Sequence, residues 1–560
     1  MKLAGTIIIF TVWALLATPA SAASIVNSVH NLSPSGPGEV HAAEESGVCE
    51  FCHTAHEASP AAPLWNRRSQ GSTYTPYSSS TALALPGQPT GASLLCLSCH
   101  DGTVALGEVL SRSTPILMAG GVTTMPPGKG YIGTDLRHHH PISFVYDSNL
   151  AGRRGELAIP SSLPPEIQLD SNQQMQCTSC HNAHDDSLGA FLVMPNQNSG
   201  LCVECHIKDG WGSSSHRQSN ASWNGQGNDP WPNSDETTVA GNACRNCHET
   251  HQASGGPRLL RYASEENSCA ACHNGNVASQ DVMDSFTEFS AHPVDSTSQS
   301  HDMAEPAVAT DRHVACSDCH NSHKAPDNSG THPVPQVRGV DLNKNEVNPV
   351  MQGYEVCLRC HADSPGKPAP LVTRQHNQGN LRAEIQLINP SFHPIAGPGR
   401  NPDVPSLIDP WNEQSIMGCV DCHGSSTAAP GGEARPPHGS AYEPILLMNY
   451  ETADGTSESA AAYALCYNCH SQDNILSEEG SFRYHRKHIK GEDTPCSVCH
   501  DPHGISATQG NEVNNTHLIN FDTTVVSPRQ NGVLRFVDEG LFSGSCDLLC
   551  HEKDHEGWNY

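Results

Sequence analysis

Every cysteine of this 560-residue chain lies in one of twelve short motifs. The 24 cysteines form twelve pairs, and a histidine directly follows the second cysteine of each pair. Eleven motifs read Cys-x-x-Cys-His, and the last has one extra residue, in Cys546-Asp-Leu-Leu-Cys550-His551. No cysteine remains for a disulfide or a catalytic thiol. The chain must therefore fold around whatever these motifs hold.

The spacing of the motif predicts covalently attached haem. Two thiols three positions apart can form thioethers to the two haem vinyl groups, and the next histidine is then held under the iron as its proximal ligand. Zinc also favours Cys-x-x-Cys pairs, but a zinc site needs no histidine at the next position, and its pairs usually come in twos. We therefore expect twelve covalent haem c groups, including one at the extended last motif.

We number the motifs 1–12 in chain order. The predicted attachment residues are Cys49 and Cys52, Cys96 and Cys99, Cys177 and Cys180, Cys202 and Cys205, Cys244 and Cys247, Cys269 and Cys272, Cys316 and Cys319, Cys357 and Cys360, Cys419 and Cys422, Cys466 and Cys469, Cys496 and Cys499, and Cys546 and Cys550. The predicted proximal iron ligands are His53, His100, His181, His206, His248, His273, His320, His361, His423, His470, His500 and His551.

Residues 1–22 have the pattern of a secretory signal peptide. Lys2 supplies the positive start, an apolar stretch too short for a typical membrane span follows, and Ala20-Ser21-Ala22 resembles a cleavage site. No other long apolar run follows, and no cysteine near the cleavage site could carry a lipid. We therefore expect export to the periplasm or the cell exterior, with no membrane span in the mature chain.

Composition predicts a fold with little ordinary core. Hydrophobic residues make up 36% of the chain and aromatic residues 5%, while glycine and proline number 47 and 41. With about 45 residues per haem, apolar burial alone is insufficient to stabilise the fold. Haem attachment and iron ligation must therefore supply part of the free energy of folding. We expect a mostly irregular, loop-rich chain with short α-helices and few strands, in which haems form the core of paired modules.

The net charge of −29 argues against a nucleic-acid partner, because phosphate binding needs a basic surface. An acidic surface favours basic or cationic partners.

The motifs are arranged as six doublets. Motifs 3 and 5 are each followed by the next motif after 25 positions, with matching residues between them, and such repeats indicate a modular array. We expect three segments after the signal peptide: 23–240 with haems 1–4, 241–412 with haems 5–8, and 413–560 with haems 9–12.

Two histidine patterns predict the second iron ligands. One is a histidine three residues past the proximal one, at His56, His184, His251, His323 and His503. The other is a histidine before proline, where the backbone is stiff, at His140, His292, His332 and His393.

The preferred distal set also contains four histidines outside the two patterns. It comprises His30, His56, His140, His184, His216, His251, His292, His323, His393, His438, His488 and His503, with His485, His332, His517, His313 and His555 as reserves. An iron with two histidines is six-coordinate and lacks the methionine that raises potential, so we expect mainly low-potential haems.

The chain resembles the doubled Cys-x-x-Cys-His multihaem cytochromes of metal-reducing bacteria. The resemblance spans essentially the whole mature chain, and the segments that carry it are His30–Ser33, Leu95–Gly107, His139–Asp147 and Cys177–His206. It implies a periplasmic or extracellular link in electron export to minerals or electrodes. Members of the group work beside outer-membrane porin–cytochrome conduits or polymerise into haem filaments. The extended twelfth motif departs from the pattern of the group.

Three functions are compatible with this pattern. The first is an electron carrier in anaerobic respiration or extracellular electron transfer to metal oxides, since a single reaction site needs few haems. The second is a reductase of nitrite, hydroxylamine, a sulfur oxyanion or a metal ion, which needs one open iron, expected at the twelfth motif. The third is a filament subunit, which needs histidines or haem edges contributed across subunits.

Overall fold

The computed structural model describes residues 25–560 except 60–61, 63, 69–70, 256, 295–313, 326–335, 366, 378 and 428–435. The predicted signal peptide and the reserve ligands His313 and His332 lie outside the described residues. Among the helices that are described, none is long and apolar enough to cross a membrane.

The chain divides into two compact units. The first ends at Ile207, and the second begins at Lys208 and also includes Ser79–Thr81. The first unit therefore holds motifs 1–4 and the second holds motifs 5–12. The finer division at 240 and 412 stays a prediction.

The helices are short, as predicted. They are α1 (Gly91–His100), α2 (Ser148–Gly152), α3 (Gly200–Cys205), α4 (Ser215–Gln218), α5 (Val239–Asn242), α6 (Glu265–Ala270), α7 (Val282–Ser285), α8 (Cys316–Cys319), α9 (Gly353–His361), α10 (Leu381–Glu384), α11 (Ala464–Tyr467) and α12 (Gln472–Ile475). Several begin at side-chain caps: Ser264, for example, accepts a hydrogen bond from the Asn267 amide at the start of α6.

The strands are shorter still, apart from three near the C-terminus. They are β1 (Phe144–Val145), β2 (Gln174–Met175), β3 (Ser290–Ala291), β4 (Gly339–Val340), β5 (Glu346–Val347), β6 (Ser391–Phe392), β7 (Gly439–Ser440), β8 (Gly504–Ile505), β9 (Val526–Ser527), β10 (Arg535–Gly540), β11 (Ser543–Cys550) and β12 (Lys553–Asn559). The prediction of a loop-rich chain with short helices and few strands is confirmed.

The strands form five small antiparallel sheets. Four are pairs, β1 with β2, β3 with β7, β4 with β5 and β6 with β8. The fifth has the order β10-β11-β12, and β9 also pairs with β11. This last sheet carries the two cysteines of motif 12 on β11.

Apolar side chains form several small clusters beside motif cysteines. In the first unit, Cys52 and Cys99 pack against a cluster that includes Phe51 and Leu106. In the second, Cys499, Cys546 and Cys550 pack against a cluster comprising Val498, Phe521, Val526, Phe536 and Leu548. Apolar burial is therefore distributed around the motifs rather than gathered in one core.

Candidate haem-binding sites

A single helical turn shapes motifs 1–11. In nine of them the amide of the proximal histidine donates to the carbonyl of the first cysteine, over 2.8–3.0 Å. Motifs 2 and 8 lie in the last turns of α1 and α9, which end at His100 and His361. Positions i, i+3 and i+4 of such a turn lie on one side of the backbone, so both thiols and the imidazole face the same space.

Backbone carbonyls orient many of the proximal rings. The Nδ1 atoms of five of them lie within 3.0 Å of a carbonyl oxygen: His100 with Gly130, His181 with Ala190, His248 with Arg258, His423 with Pro444 and His500 with His517. A carbonyl only accepts, so Nδ1 carries the proton and Nε2 keeps its lone pair. This is the tautomer and orientation that a metal-binding imidazole requires.

Nine proximal histidines face a second histidine across a gap of constant width. Their ring centroids lie 5.9–6.4 Å apart. The pairs are His53 with His184, His100 with His30, His206 with His140, His248 with His323, His273 with His216, His320 with His438, His361 with His292, His423 with His503 and His500 with His485.

The width of this gap fits an iron held between two imidazoles. Two metal–nitrogen bonds of about 2.0 Å, plus roughly 1.1 Å from each nitrogen to its ring centre, require about 6.2 Å between centroids. Aromatic stacking alone allows a much wider range of centroid distances, from about 4.5 to 7 Å. The residues present therefore fit bis-histidine haem.

The pairs follow a rule for the odd-numbered motifs. The extra histidine three residues past a proximal one faces the proximal histidine two motifs earlier. His184 of motif 3 pairs with His53, His323 of motif 7 with His248, and His503 of motif 11 with His423. The extra histidine of one motif therefore faces the proximal histidine of another motif.

A related rule holds for the even-numbered motifs. The distal histidine lies in the segment that follows one even motif and faces the proximal histidine of the next. His140 follows motif 2 and pairs with His206 of motif 4, and His292 follows motif 6 and pairs with His361 of motif 8. His216, which lies after motif 4, pairs with His273 of motif 6 in the same way.

Burial keeps five of the paired rings neutral. It lowers the pKa of His273, His438, His500 and His503 to about 4, and that of His485 to about 3. A neutral imidazole is the form that binds metal, so these five rings need no deprotonation near pH 7.

The remaining predicted ligands differ in their surroundings. His393 lies near His470, and its Nδ1 is bonded to the carbonyl of Pro502. His56 and His251 are exposed, and their roles stay predictions. Nε2 of His551 lies 2.9 Å from the Asp454 carboxylate.

Two reserve histidines take positions that the two sequence patterns did not indicate. His485 faces His500, and His555 faces His488 at 6.3 Å. Neither follows a proximal histidine by three residues or precedes a proline. The available signal was only that both lie close in sequence to motifs 11 and 12. The reserve His517 instead lies near Asn401 and Asp538 through its ring nitrogens.

Cysteines of successive motifs lie near one another in an alternating pattern. Within a doublet, the second cysteines are near enough to repel each other as thiolates: Cys52 with Cys99 and Cys180 with Cys205 in the first unit, and Cys247 with Cys272, Cys319 with Cys360 and Cys422 with Cys469 in the second. Between doublets, the first cysteines are close enough that one thiol raises the pKa of the other: that of Cys96 is raised by Cys177 in the first unit, and those of Cys269, Cys357 and Cys466 are raised by Cys316, Cys419 and Cys496 in the second.

These thiols stand where thioether sulfurs would lie in the mature protein. Cys499 of motif 11 likewise lies near Cys546 and Cys550 of motif 12. The attachment sites of motifs 1–4 therefore form one continuous series in the first unit, and those of motifs 5–12 form another in the second.

Arg67 is a buried cation beside one doublet. Its side chain is fully buried and donates to the carbonyls of Ser98, Ala105 and Leu106. Burial raises the pKa of the neighbouring Cys52 to about 12, and the Arg67 charge opposes that shift. The positive charge of Arg67 therefore acts on the attachment sites of motifs 1 and 2.

Replacing Arg67 with methionine is expected to lower the potentials of the haems at motifs 1 and 2 by on the order of tens of millivolts, because a nearby cation stabilises an added electron. Spectroelectrochemical titration of the full chain measures the change. Arg68→Met is the matched control, since Arg68 is adjacent in sequence but exposed. Equal titration curves for the two variants would contradict this role of Arg67.

Comparison with known proteins agrees with these sites. The profile of the doubled CXXCH motif family matches residues 171–210 and 237–278, which hold motifs 3 and 4 and motifs 5 and 6. The chain is also similar to the multiheme cytochrome MtrA of Shewanella baltica (strain OS185), with 28% identity over 221 residues. That alignment covers 37% of this chain and 47% of the relative, so the chain spans about half of the relative's length. The motifs, the paired rings and these matches together identify the chain as a multihaem c-type cytochrome.

Proposed function

We propose that this protein conducts electrons along a series of twelve covalently bound haems, in anaerobic respiration or extracellular electron transfer to metal oxides. The observation that carries the proposal is the proximity of cysteines of successive motifs, repeated through each unit. When bound, each haem supplies an iron that accepts and releases one electron. The protein's part is to fix the spacing of these groups and to set their potentials.

The histidine pairs support conduction rather than catalysis. Two imidazoles fill both axial positions of an iron, and a filled iron has no site for a small substrate. Nine proximal histidines have such a partner. A reductase would need one iron left open, which is the alternative that an experiment must exclude.

The proposed location and partners follow from the same features. The N-terminal sequence predicts export, so the protein would act in the periplasm or outside the cell. Its partners would be other cytochromes or an outer-membrane porin–cytochrome conduit, and metal oxides would be the terminal acceptor. The charge of −29 favours partners that present a basic surface.

The test is haem quantification per chain together with an EPR spectrum of the fully oxidised protein. We expect twelve haems, all low-spin. In the His184→Ala variant we expect one haem, that of motif 1, to become high-spin, because His184 is the ring that faces His53. His41→Ala is the matched control, since His41 lies in the same unit, is not among the predicted iron ligands and has its Nδ1 against the carbonyl of Ala42.

A high-spin haem in the unmodified protein would contradict the proposal and favour reduction of a small molecule at that iron. An unchanged spectrum in His184→Ala would contradict the pairing of His184 with His53.

A further inference from the structure

Motif 12 differs from the other motifs in its backbone. Its cysteines lie on strand β11, which is paired on both sides, rather than on a helical turn. Side chains alternate between the faces of a strand, so Cys546, Leu548 and Cys550 share one face. All three pack into the same apolar cluster, which confirms that this face is buried. The extra residue of the motif is what a strand requires, since an even spacing keeps both thiols on one side.

The same geometry takes His551 away from the thiols. In a strand the residue after Cys550 points to the opposite face, and His551 also begins the tight β11–β12 turn, where it and Glu552 have φ of 46° and 61°. Its Nε2 lies 3.0 and 2.9 Å from the two oxygens of Asp454. In proximal rings such as that of His100, Nδ1 takes the hydrogen bond and Nε2 is left for iron.

His555 lies on the face of the sheet opposite to that of His551. It pairs directly with Leu548 across β11 and β12, and so stands on the side of Cys546 and Cys550. The Nδ1 atoms of His555 and of His485, the ring that faces the proximal His500, are both buried.

The ring that faces His555 is His488, at a centroid distance of 6.3 Å. This is the separation found for the nine proximal–distal pairs. Nδ1 of His488 is bonded to the carbonyl of Tyr484, as in those sites. His488 also follows motif 10, and the rule for even motifs assigns a histidine in that position to motif 12.

We propose that the haem attached to Cys546 and Cys550 is held by His488 and His555, and that His551 remains bonded to Asp454 outside the coordination sphere. The inference rests on the proposed attachment of a twelfth haem. It assigns the proximal role to a residue five positions after the second cysteine instead of the next one. The site would be a closed, six-coordinate haem.

The experiment compares His555→Ala, His551→Ala and His517→Ala in the full haem-loaded protein. Intact mass gives the number of haems per chain, and EPR gives the number of high-spin irons. We expect His555→Ala to keep twelve haems with one high-spin iron, which added imidazole returns to low spin. His517→Ala is the matched control, because His517 lies near Asp538 on the neighbouring strand β10 and its ring lies edge-on to that of Phe536.

His551→Ala is expected to retain twelve low-spin haems. If His551→Ala loses the haem during attachment, His555→Ala alone decides the assignment. Twelve low-spin haems in His555→Ala, or one high-spin iron in His551→Ala, would overturn it. Eleven haems in the unmodified protein would also overturn it, but would leave conduction through the other motifs standing.

Discussion

Replacing Cys357 and Cys360 with alanine is expected to remove one haem and to interrupt electron flow through the second unit. Cys357 of motif 8 lies beside Cys419 of motif 9, and Cys360 of motif 8 lies near Cys319 of motif 7. Loss of this haem doubles the distance that an electron must cross between the neighbouring haems. The current through the chain should therefore fall by orders of magnitude. Conductance of single molecules held between two electrodes measures the effect, with intact mass confirming the loss of one haem.

The matched control removes a haem at an end of the series. Cys49→Ala with Cys52→Ala also deletes one haem, but leaves the contacts among motifs 2–4 and among motifs 5–12 in place. We expect a small decrease in current for this variant. Similar currents in the two variants would mean that electrons do not follow the order of the motifs.

The chain without haem is expected not to fold. Buried apolar residues are divided among clusters of three to six side chains, and helices rarely exceed one or two turns. Short isolated helices are marginal in water, and metal-dependent chains with small cores unfold when the metal is absent. Almost all of the free energy of folding should therefore depend on thioether formation and iron ligation.

Far-UV circular dichroism and urea titration of a cytoplasmically expressed chain, in which haem is not attached, measure this dependence. We expect a disordered spectrum and no cooperative transition, whereas the haem-loaded protein should unfold cooperatively. A cooperative transition in the chain without haem, with a similar midpoint, would show that the apolar clusters suffice.

The local part of each site could be predicted from the sequence. The thiols and the proximal histidine lie within five residues, so one helical turn brings them together wherever the chain forms it. The loop-rich fold was predictable for a related reason, since the composition leaves little apolar surface to build long helices or a large sheet. Composition and spacing act over short distances, and they need no knowledge of the tertiary contacts.

The pairing of the histidine rings depended on the tertiary structure. His53 and His184 lie 131 positions apart, and only the packing of motif 3 against motif 1 brings their rings to 5.9 Å. Both histidine patterns predicted ligands, but neither showed which iron each would face. His485 and His488 illustrate the limit: they are one helical turn apart, yet they face different partners, His500 and His555.

Motif 12 shows most clearly which features the sequence predicts and which depend on the tertiary structure. Its sequence indicated a haem attachment site, because two cysteines and a histidine are present. Whether the backbone there is a helical turn or a strand was decided by the pairing of β11 with β9, β10 and β12. A helical turn places i and i+4 on one side, whereas a strand turns each successive residue to the opposite face. The sequence by itself therefore determined the cofactor and its attachment, and the tertiary structure decided which histidines surround it.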